Sequence, residues 1–353
     1  MKKVLKSAFV FLPLVILVFV VNIYADPASL INKTVEKQIA QAFLDGHNAE
    51  DVLTIDDRAM IEFYFELRED PVDCLVLGAS RGMQISAETT GIANSFNAGV
   101  TGAEFRDMVS VYYMYKEKNN APENVILVLE PWTVSETYIS KRCITKGYYD
   151  FCEENNFTAV KTNNIKSEFE KWREMFSIGY FQQSINPVFS GDFNLKKAMK
   201  ATDEFYGEDD IRHRDGSYSY GYAYRNMTEV EKRAGLNDVK TKVPDLIKNY
   251  VYSENLAHQL DTFVAKLVED GVNVTFFIPP ILPEYYEFVV NSTEYGKCFT
   301  DTWALYTGIA DKYNIQIIGS YNPVGLAAAN FYDVLHPTYE YVHQLFAPFR
   351  EEM

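Results

Sequence analysis

The chain has 353 residues, of which 47% are hydrophobic and 15% aromatic, and its formal net charge is −16. This composition supports a large folded core and excludes a disordered chain. It also argues against nucleic acid binding, because phosphate recognition requires grouped lysine and arginine residues, which the sequence lacks.

The first 26 residues predict a membrane anchor. Three lysines within the first six residues precede an uncharged apolar run, residues 7–24, and Asp26 follows it. A helix over this run, at about 1.5 Å per residue, is just long enough for a thin bilayer core. Positive charge before the run predicts a single-pass protein of a bacterial cell membrane, with its body outside the cytoplasm. The alternative is a cleaved signal peptide and a secreted protein.

The rest of the chain predicts an α/β fold. Residues 27–70 are polar and helical in pattern, and we interpret them as a neck and lead-in helices. Residues 71–353 form the predicted main domain, in which short apolar runs predict buried parallel strands at 73–78, 95–98, 124–130, 273–278 and 315–318. Helical patterns follow at 103–118, 254–270, 297–313 and 338–349. This alternation predicts a flavodoxin-like parallel sheet of about five strands flanked by helices.

One long segment interrupts the alternation. Residues 133–250 are rich in tyrosine, asparagine, lysine and glutamate and contain no strong buried strand pattern. We expect a mostly helical insertion over the C-terminal edge of the sheet, where such folds keep their sites. Its tyrosine-rich part, residues 213–224, is either a platform for stacking sugars or a surface loop without function.

Three motifs carry candidate chemistry. Ser80 follows the first strand at a turn, where its hydroxyl faces the C-terminal edge of the sheet. Asn97 begins a second turn that ends at Gly102, and glycine there lets backbone N–H groups approach a reacting oxygen. Asp333 precedes His336 by three residues near the last helix, so the carboxylate can orient the imidazole in one turn.

The order of these motifs resembles the SGNH (GDSL-like) hydrolase superfamily over residues 73–350, with 133–250 outside the resemblance. The resemblance implies that Ser80 is the nucleophile, His336 the base and Asp333 its orienting acid. It implies an oxyanion hole made by the backbone N–H groups of Ser80 and Gly102. It implies neither a metal nor an organic cofactor.

The chain departs from the family after the third strand. The family usually supplies an asparagine there as a further oxyanion donor, and this chain has Leu-Glu-Pro-Trp at 129–132. Glu130 and Trp132 are therefore candidate site residues. Arg81 either binds an anionic group of the substrate or pairs with Glu130. Cys143 and Cys152 are close enough in sequence for a local disulfide.

This pattern is similar to SGNH-like proteins of cell-envelope polymer modification, including D-alanyl-transfer and acetyl-transfer proteins. We therefore expect an extracytoplasmic acyltransferase or O-acyl esterase that forms an acyl-serine intermediate. Its expected partners are an envelope polysaccharide or teichoic-acid-like polymer and a membrane-bound acyltransferase. One alternative is a non-catalytic SGNH-like scaffold that binds such a polymer or acyltransferase. Another is an unrelated flavodoxin-like domain, in which Ser80 and His336 would lie far apart.

Overall fold

The computed structural model describes residues 2–52, 54–138, 146–159, 164–189, 191, 193, 195, 199–322 and 325–352. The strands are β1 (Asn48–Glu50), β2 (Cys74–Leu77), β3 (Ser95–Asn97), β4 (Asn124–Val128), β5 (Lys200–Thr202), β6 (Ile211–Arg212), β7 (Tyr218–Ser219), β8 (Asn273–Ile278) and β9 (Gln316–Gly319). The helices before β5 are α1 (Lys2–Ala25), α2 (Thr34–Leu44), α3 (Asp57–Leu67), α4 (Ala87–Thr90), α5 (Phe105–Lys116), α6 (Lys146–Glu154), α7 (Asn164–Glu174) and α8 (Ile178–Phe189). The later ones are α9 (Tyr222–Arg225), α10 (Glu229–Thr241), α11 (Asp245–Lys248), α12 (Glu254–Glu269), α13 (Pro283–Val290), α14 (Lys297–Tyr313), α15 (Tyr339–Leu345) and α16 (Ala347–Glu352).

A five-stranded parallel sheet forms the centre of the molecule, in the order β3-β2-β4-β8-β9. Its three middle strands are almost wholly buried, as their continuous apolar sequences predict. Strand order reverses at the boundary between β2 and β4, and folds of this kind bind ligands beyond the carboxyl ends of the strands at that point. The predicted parallel sheet flanked by helices is confirmed.

Helices cover the sheet on both sides. Helices α5 and α12 belong to the larger core cluster on one face, with buried residues such as Phe105 and Phe263. Helices α15 and α16 pack on the other face, where Val342, Phe346 and Phe349 contact a smaller cluster that includes Phe277. Crossovers of this kind leave the helix N-termini at the carboxyl edge of the strands.

A second, antiparallel sheet was not predicted. Its order is β5-β1-β6-β7, so a strand from the lead-in pairs with three short strands from segment 133–250. The interpretation of 133–250 as lacking buried strands was therefore incomplete, since β6 and β7 are buried. The lead-in is likewise more than a neck, because Met60 and Ile61 of α3 are fully buried in the main core.

The N-terminal segment forms α1, a helix of 24 residues. Among the residues that the structure describes, no helix combines the length and the apolar character needed to cross a membrane. The predicted transmembrane helix is therefore not supported, and the location of the body remains a prediction. Of the predicted local disulfide, Cys143 lies outside the described residues, while Cys152 is buried in α6.

Candidate active site

Ser80 occupies a tight turn that follows strand β2. Gly78 has φ +152°, and a Cβ atom built on it would lie 2.4 Å from Cβ of Val128 on the neighbouring strand. A Cβ atom on Gly82 would lie 2.3 Å from Cγ2 of the same valine. Glycine is therefore required on both sides of Ser80 for the turn to pass so close to β4. The turn continues as a short 3-10 helix, Ser80–Gly82, at the carboxyl edge of the sheet.

The imidazole of His336 lies between Ser80 and Asp333 and contacts both side chains. Ser80 Oγ is 3.1 Å from Nε2 of His336. The other ring nitrogen, Nδ1, lies 3.1 and 3.0 Å from Oδ1 and Oδ2 of Asp333. Asp333 Oδ1 also accepts the backbone N–H groups of Leu335 at 2.8 Å and His336 at 2.7 Å, which closes the turn locally. Such a chain can move the serine proton onto Nε2 while the carboxylate orients the ring.

The carboxyl group of Asp333 is ionised at neutral pH. Burial by itself would raise its pKa, but the hydrogen bonds and charge of His336, together with the hydroxyl of Tyr224, outweigh burial. The pKa of Asp333 therefore lies well below its usual range. An ionised carboxylate stabilises the imidazolium that forms when His336 accepts a proton.

Tyrosines from the segment 133–250 surround the imidazole. The hydroxyl of Tyr224, on α9, donates to Oδ2 of Asp333. The ring of Tyr220 lies edge-on to His336, with 5.7 Å between the ring centroids. The tyrosine-rich segment therefore contributes Tyr220 and Tyr224 to the site, whereas Tyr222 is 54% exposed. The sequence marked this segment but gave no signal for the contact with Asp333.

The loop between β3 and α5 lies beside the Ser80 turn, because Val100 N–H donates to the carbonyl of Gly78 at 3.0 Å. Gly102 ends this loop with φ +61°, in the left-handed region that favours glycine. Within the described part of the chain, the backbone N–H groups of Ser80 and Gly102 donate to no protein acceptor. Both are therefore available to a reacting oxygen.

Arg58 of α3 orients the peptide group that carries the Gly102 N–H. Its Nη1 donates to the carbonyl of Thr101 at 3.3 Å, and its Nη2 donates to the carbonyl of Gly102 at 3.3 Å. In a trans peptide the C=O and the next N–H point in opposite directions. Holding the Thr101 carbonyl on the α3 side therefore turns the Gly102 N–H away from α3. Arg58 is itself fixed by two 2.8 Å hydrogen bonds to Asp107.

Two further residues hold the same loop. Asp57 Oδ2 accepts both the N–H and the hydroxyl of Thr101, at 2.9 and 2.7 Å. Arg212 of β6 donates to the carbonyls of Asn97 at 3.2 Å and Gly99 at 2.8 Å. The loop is thus held by the lead-in on one side and by the insertion on the other. Sequence patterns did not point to any of these clamping residues.

The side chain of Asn97 is buried and connects the Ser80 turn to the loop after β3. Its Nδ2 donates to the carbonyls of Gly82 at 2.9 Å and Ile85 at 2.8 Å, and its Oδ1 accepts the Gly99 N–H at 2.9 Å. The amide thereby ties the Ser80 turn to the neighbouring loop. Both ends of the side chain are committed to backbone groups, so its place in the site is structural.

Arg81, Glu130 and Trp132 form a buried group beneath the site. Nη1 of Arg81 lies 2.8 Å from Oε2 of Glu130, and both side chains are at most 2% exposed. The guanidinium stands 5.8 Å from the ring centroid of Trp132 and also donates to the carbonyls of Pro279 and Pro280. Burial raises the pKa of Glu130, and the charges of Arg81 and His336 oppose that shift. This placement corresponds to the structural alternative for Arg81.

A small cavity begins next to the Gly102 loop. A Cβ atom on Gly102 would lie 3.5 Å from the hydroxyl of Tyr138, which lines the cavity. Its volume is about 210 Å³. The other lining residues include Glu104, Phe105, Thr133, Ser253 and Leu256. These residues come from the loop after β4 and from the N-terminal ends of α5 and α12, so the cavity shares the carboxyl edge of the sheet with Ser80.

The described residues contain no group of histidine, cysteine, aspartate and glutamate side chains that could hold a metal ion. No known protein-family model matches the chain, and no curated protein sequence matches it either.

Proposed function

We propose that this chain is an SGNH-type serine acyltransferase or O-acyl esterase that acts on a glycopolymer of the cell envelope, outside the cytoplasm. The observation that carries the proposal is the contact of Ser80 Oγ with His336 Nε2 at 3.1 Å, with Asp333 on the opposite ring nitrogen. Triads are recognised by this geometry and by the roles of their members. The contact also argues against a flavodoxin-like domain whose serine and histidine lie apart.

The proposed reaction has two halves. In the first, His336 takes the proton of Ser80 while Oγ bonds to the carbonyl carbon of an ester or thioester. The oxyanion accepts the N–H groups of Ser80 and Gly102. The bond to the leaving alcohol or thiol then breaks, and His336 returns the proton to that group. In the second half, His336 takes the proton of a sugar hydroxyl or a water as that oxygen bonds to the acyl carbon. The bond from this carbon to Ser80 Oγ then breaks, and His336 returns the proton to Oγ.

The cavity beside Gly102 favours a small acyl group. Its volume of about 210 Å³ is below the size of common ligand pockets, which begin at roughly 300 Å³. The cavity lies beside the proposed oxyanion donor Gly102, where Tyr138 lines it. We therefore propose a short acyl group, such as acetyl, as the group transferred.

A non-catalytic scaffold is the second candidate. At the position where the SGNH family places an asparagine donor, the chain has Glu130, which is buried against Arg81 and is 1% exposed. Loss of one oxyanion donor typically lowers the rate by about 100- to 1000-fold. A polymer-binding protein with a degenerate site would retain the same geometry.

Covalent labelling separates the two candidates. We expect a fluorophosphonate probe to modify Ser80, as located by mass spectrometry, and the protein to hydrolyse a chromogenic acetyl ester slowly. Ser80→Ala and His336→Ala should lose both signals, while Ser292→Ala, in the turn before α14, should retain them. If wild type and Ser80→Ala hydrolyse the ester equally and no label appears on Ser80, the chain is a scaffold.

A further inference from the structure

An exposed aromatic stripe runs along α7 and the turn after it. Phe169, Trp172 and Phe176 are spaced by three and four residues, which places them on one face. Their exposed fractions are 68%, 47% and 52%. Large apolar side chains that cluster on one exposed face mark an interaction surface. The polar residues of α7 include three basic and three acidic ones, so the helix carries no net charge.

The stripe continues onto α1. The ring of Phe176 stacks on Phe19, with 4.5 Å between centroids and 19° between planes. Nδ2 of Asn22 donates to the carbonyls of Met175 and Ser177 at 3.1 Å each. These hydrogen bonds are buried or partly buried, so they fasten the end of α7 to α1 in one geometry. The two apolar surfaces therefore form one continuous surface.

Over residues 11–17 the apolar surface of α1 points in every direction, whereas Val18, Asn22 and Ala25 on its later turns are buried. The exposed apolar residues of α1, each at least 44% exposed, are Phe11, Leu12, Leu14, Val15, Ile16, Leu17, Val20 and Tyr24. Successive residues of an α-helix point about 100° apart, so these side chains surround the helix axis. A protein partner would cover one side of such a helix, whereas acyl chains cover all sides. The occupant that fits the combined surface is therefore lipid.

We propose that α7 lies in the headgroup layer of a lipid bilayer, with its aromatic stripe at the boundary to the acyl chains and next to α1. Tryptophan and phenylalanine on one exposed face are typical of helices that lie in this boundary. The proposal is independent of the chemistry at Ser80, because it concerns the orientation of the whole molecule on a membrane.

Quenching by brominated lipid tests the proposal. The chain has three tryptophans; Trp132 is 5% exposed in the site, and Trp303 is 38% exposed on α14. The full-length protein is placed in nanodiscs of phosphatidylcholine and phosphatidylglycerol with brominated acyl chains. We expect the bromines to quench part of the emission in wild type and in Trp303→Phe. Trp172→Phe should lose that quenched part.

A second pair of variants controls for changes in folding. Phe169→Ser should lower the quenching of Trp172, and Val230→Ser, which replaces a 78% exposed valine on α10, should leave it unchanged. The proposal is overturned if Trp172→Phe is quenched as strongly as wild type, or if the protein does not enter the nanodiscs. It is also overturned if Trp172 emission responds only to protein concentration, because a second copy would then cover the stripe.

Discussion

The hydroxyl of Tyr224 donates a hydrogen bond to Oδ2 of Asp333 and lies 3.3 Å from Nδ1 of His336. Burial and the charge of Asp333 both raise the pKa of Tyr224, so its hydroxyl stays protonated and remains a donor. Tyr224 belongs to the segment 133–250, while Asp333 and His336 lie near the end of the chain. The insertion therefore orients the proposed triad as well as covering the sheet.

Tyr224→Phe should lower kcat for acetyl ester hydrolysis and leave KM nearly unchanged. A hydrogen bond to a charged group contributes about 1.5–3 kcal/mol, which corresponds to roughly a 10- to 100-fold lower kcat if the whole effect is on the transition state. Tyr222→Phe, at an exposed neighbour on the same helix, is the matched control. A variant with wild-type kcat would show that Asp333 orients His336 without this tyrosine.

Arg58→Lys should lower the rate at which Ser80 is acylated, while the protein remains folded. Lysine keeps a positive charge near Asp107, but it lacks the planar fork that reaches the carbonyls of Thr101 and Gly102. The Gly102 N–H would then lose its fixed direction, and full loss of one oxyanion donor costs about 100- to 1000-fold. The rate of fluorophosphonate labelling measures the effect, with Arg68→Lys at the end of α3 as control. Equal labelling rates would remove Arg58 from the description of the oxyanion hole.

Arg81 and Glu130 should show strong coupling in stability. Removing one partner of a buried ion pair typically destabilises a protein by about 3–5 kcal/mol, because the other charge remains buried without compensation. We expect Arg81→Met and Glu130→Gln each to lower the free energy of unfolding by amounts of this order. The double variant should lose much less than the sum, as a denaturant-unfolding cycle would show. Additive losses would mean that the 2.8 Å contact contributes no coupling.

Stability should fall on acidification because of His213. Burial lowers the pKa of this histidine to about 4, against the charge of nearby Asp215. An unfolded histidine binds its proton near pH 6.5. Unfolding therefore takes up a proton at pH values between about 6.5 and 4, and the free energy of unfolding decreases as the pH falls through that window. The shift of the His213 pKa from 6.5 to about 4 changes the free energy of unfolding by roughly 3 kcal/mol across this window.

The variant His213→Gln isolates this contribution. Glutamine can still bond to Ser219 Oγ, which lies 2.7 Å from Nε2 of the histidine, but it does not titrate. We expect urea unfolding of the variant to depend less on pH between 4 and 6.5 than unfolding of the wild type. Identical slopes for the two proteins would contradict the role given to His213.

The main sheet and the three proposed catalytic residues were predictable because their signals are local. Each buried parallel strand is a continuous apolar run, and Ser80 and His336 stand in short motifs at turns. The second sheet was not predictable, since its strands have two or three residues and carry no periodicity. Arg58 and Tyr224 carry no motif either. Their roles arise from contacts with loops 43 and 109 residues away in sequence, which only the fold brings together.

The pairing of β1 with β5 and β6 has a practical consequence for dissecting the gene. A fragment beginning at residue 71 would match the predicted domain boundary, yet it would lack the strand Asn48–Glu50 and the carboxylate of Asp57. Removing residues 133–250 would in turn leave β1 unpaired. We therefore expect that neither the fragment beginning at residue 71 nor the segment 133–250 folds as an independent module. Mutations in the lead-in and in segment 133–250 should therefore have effects on stability that depend on each other.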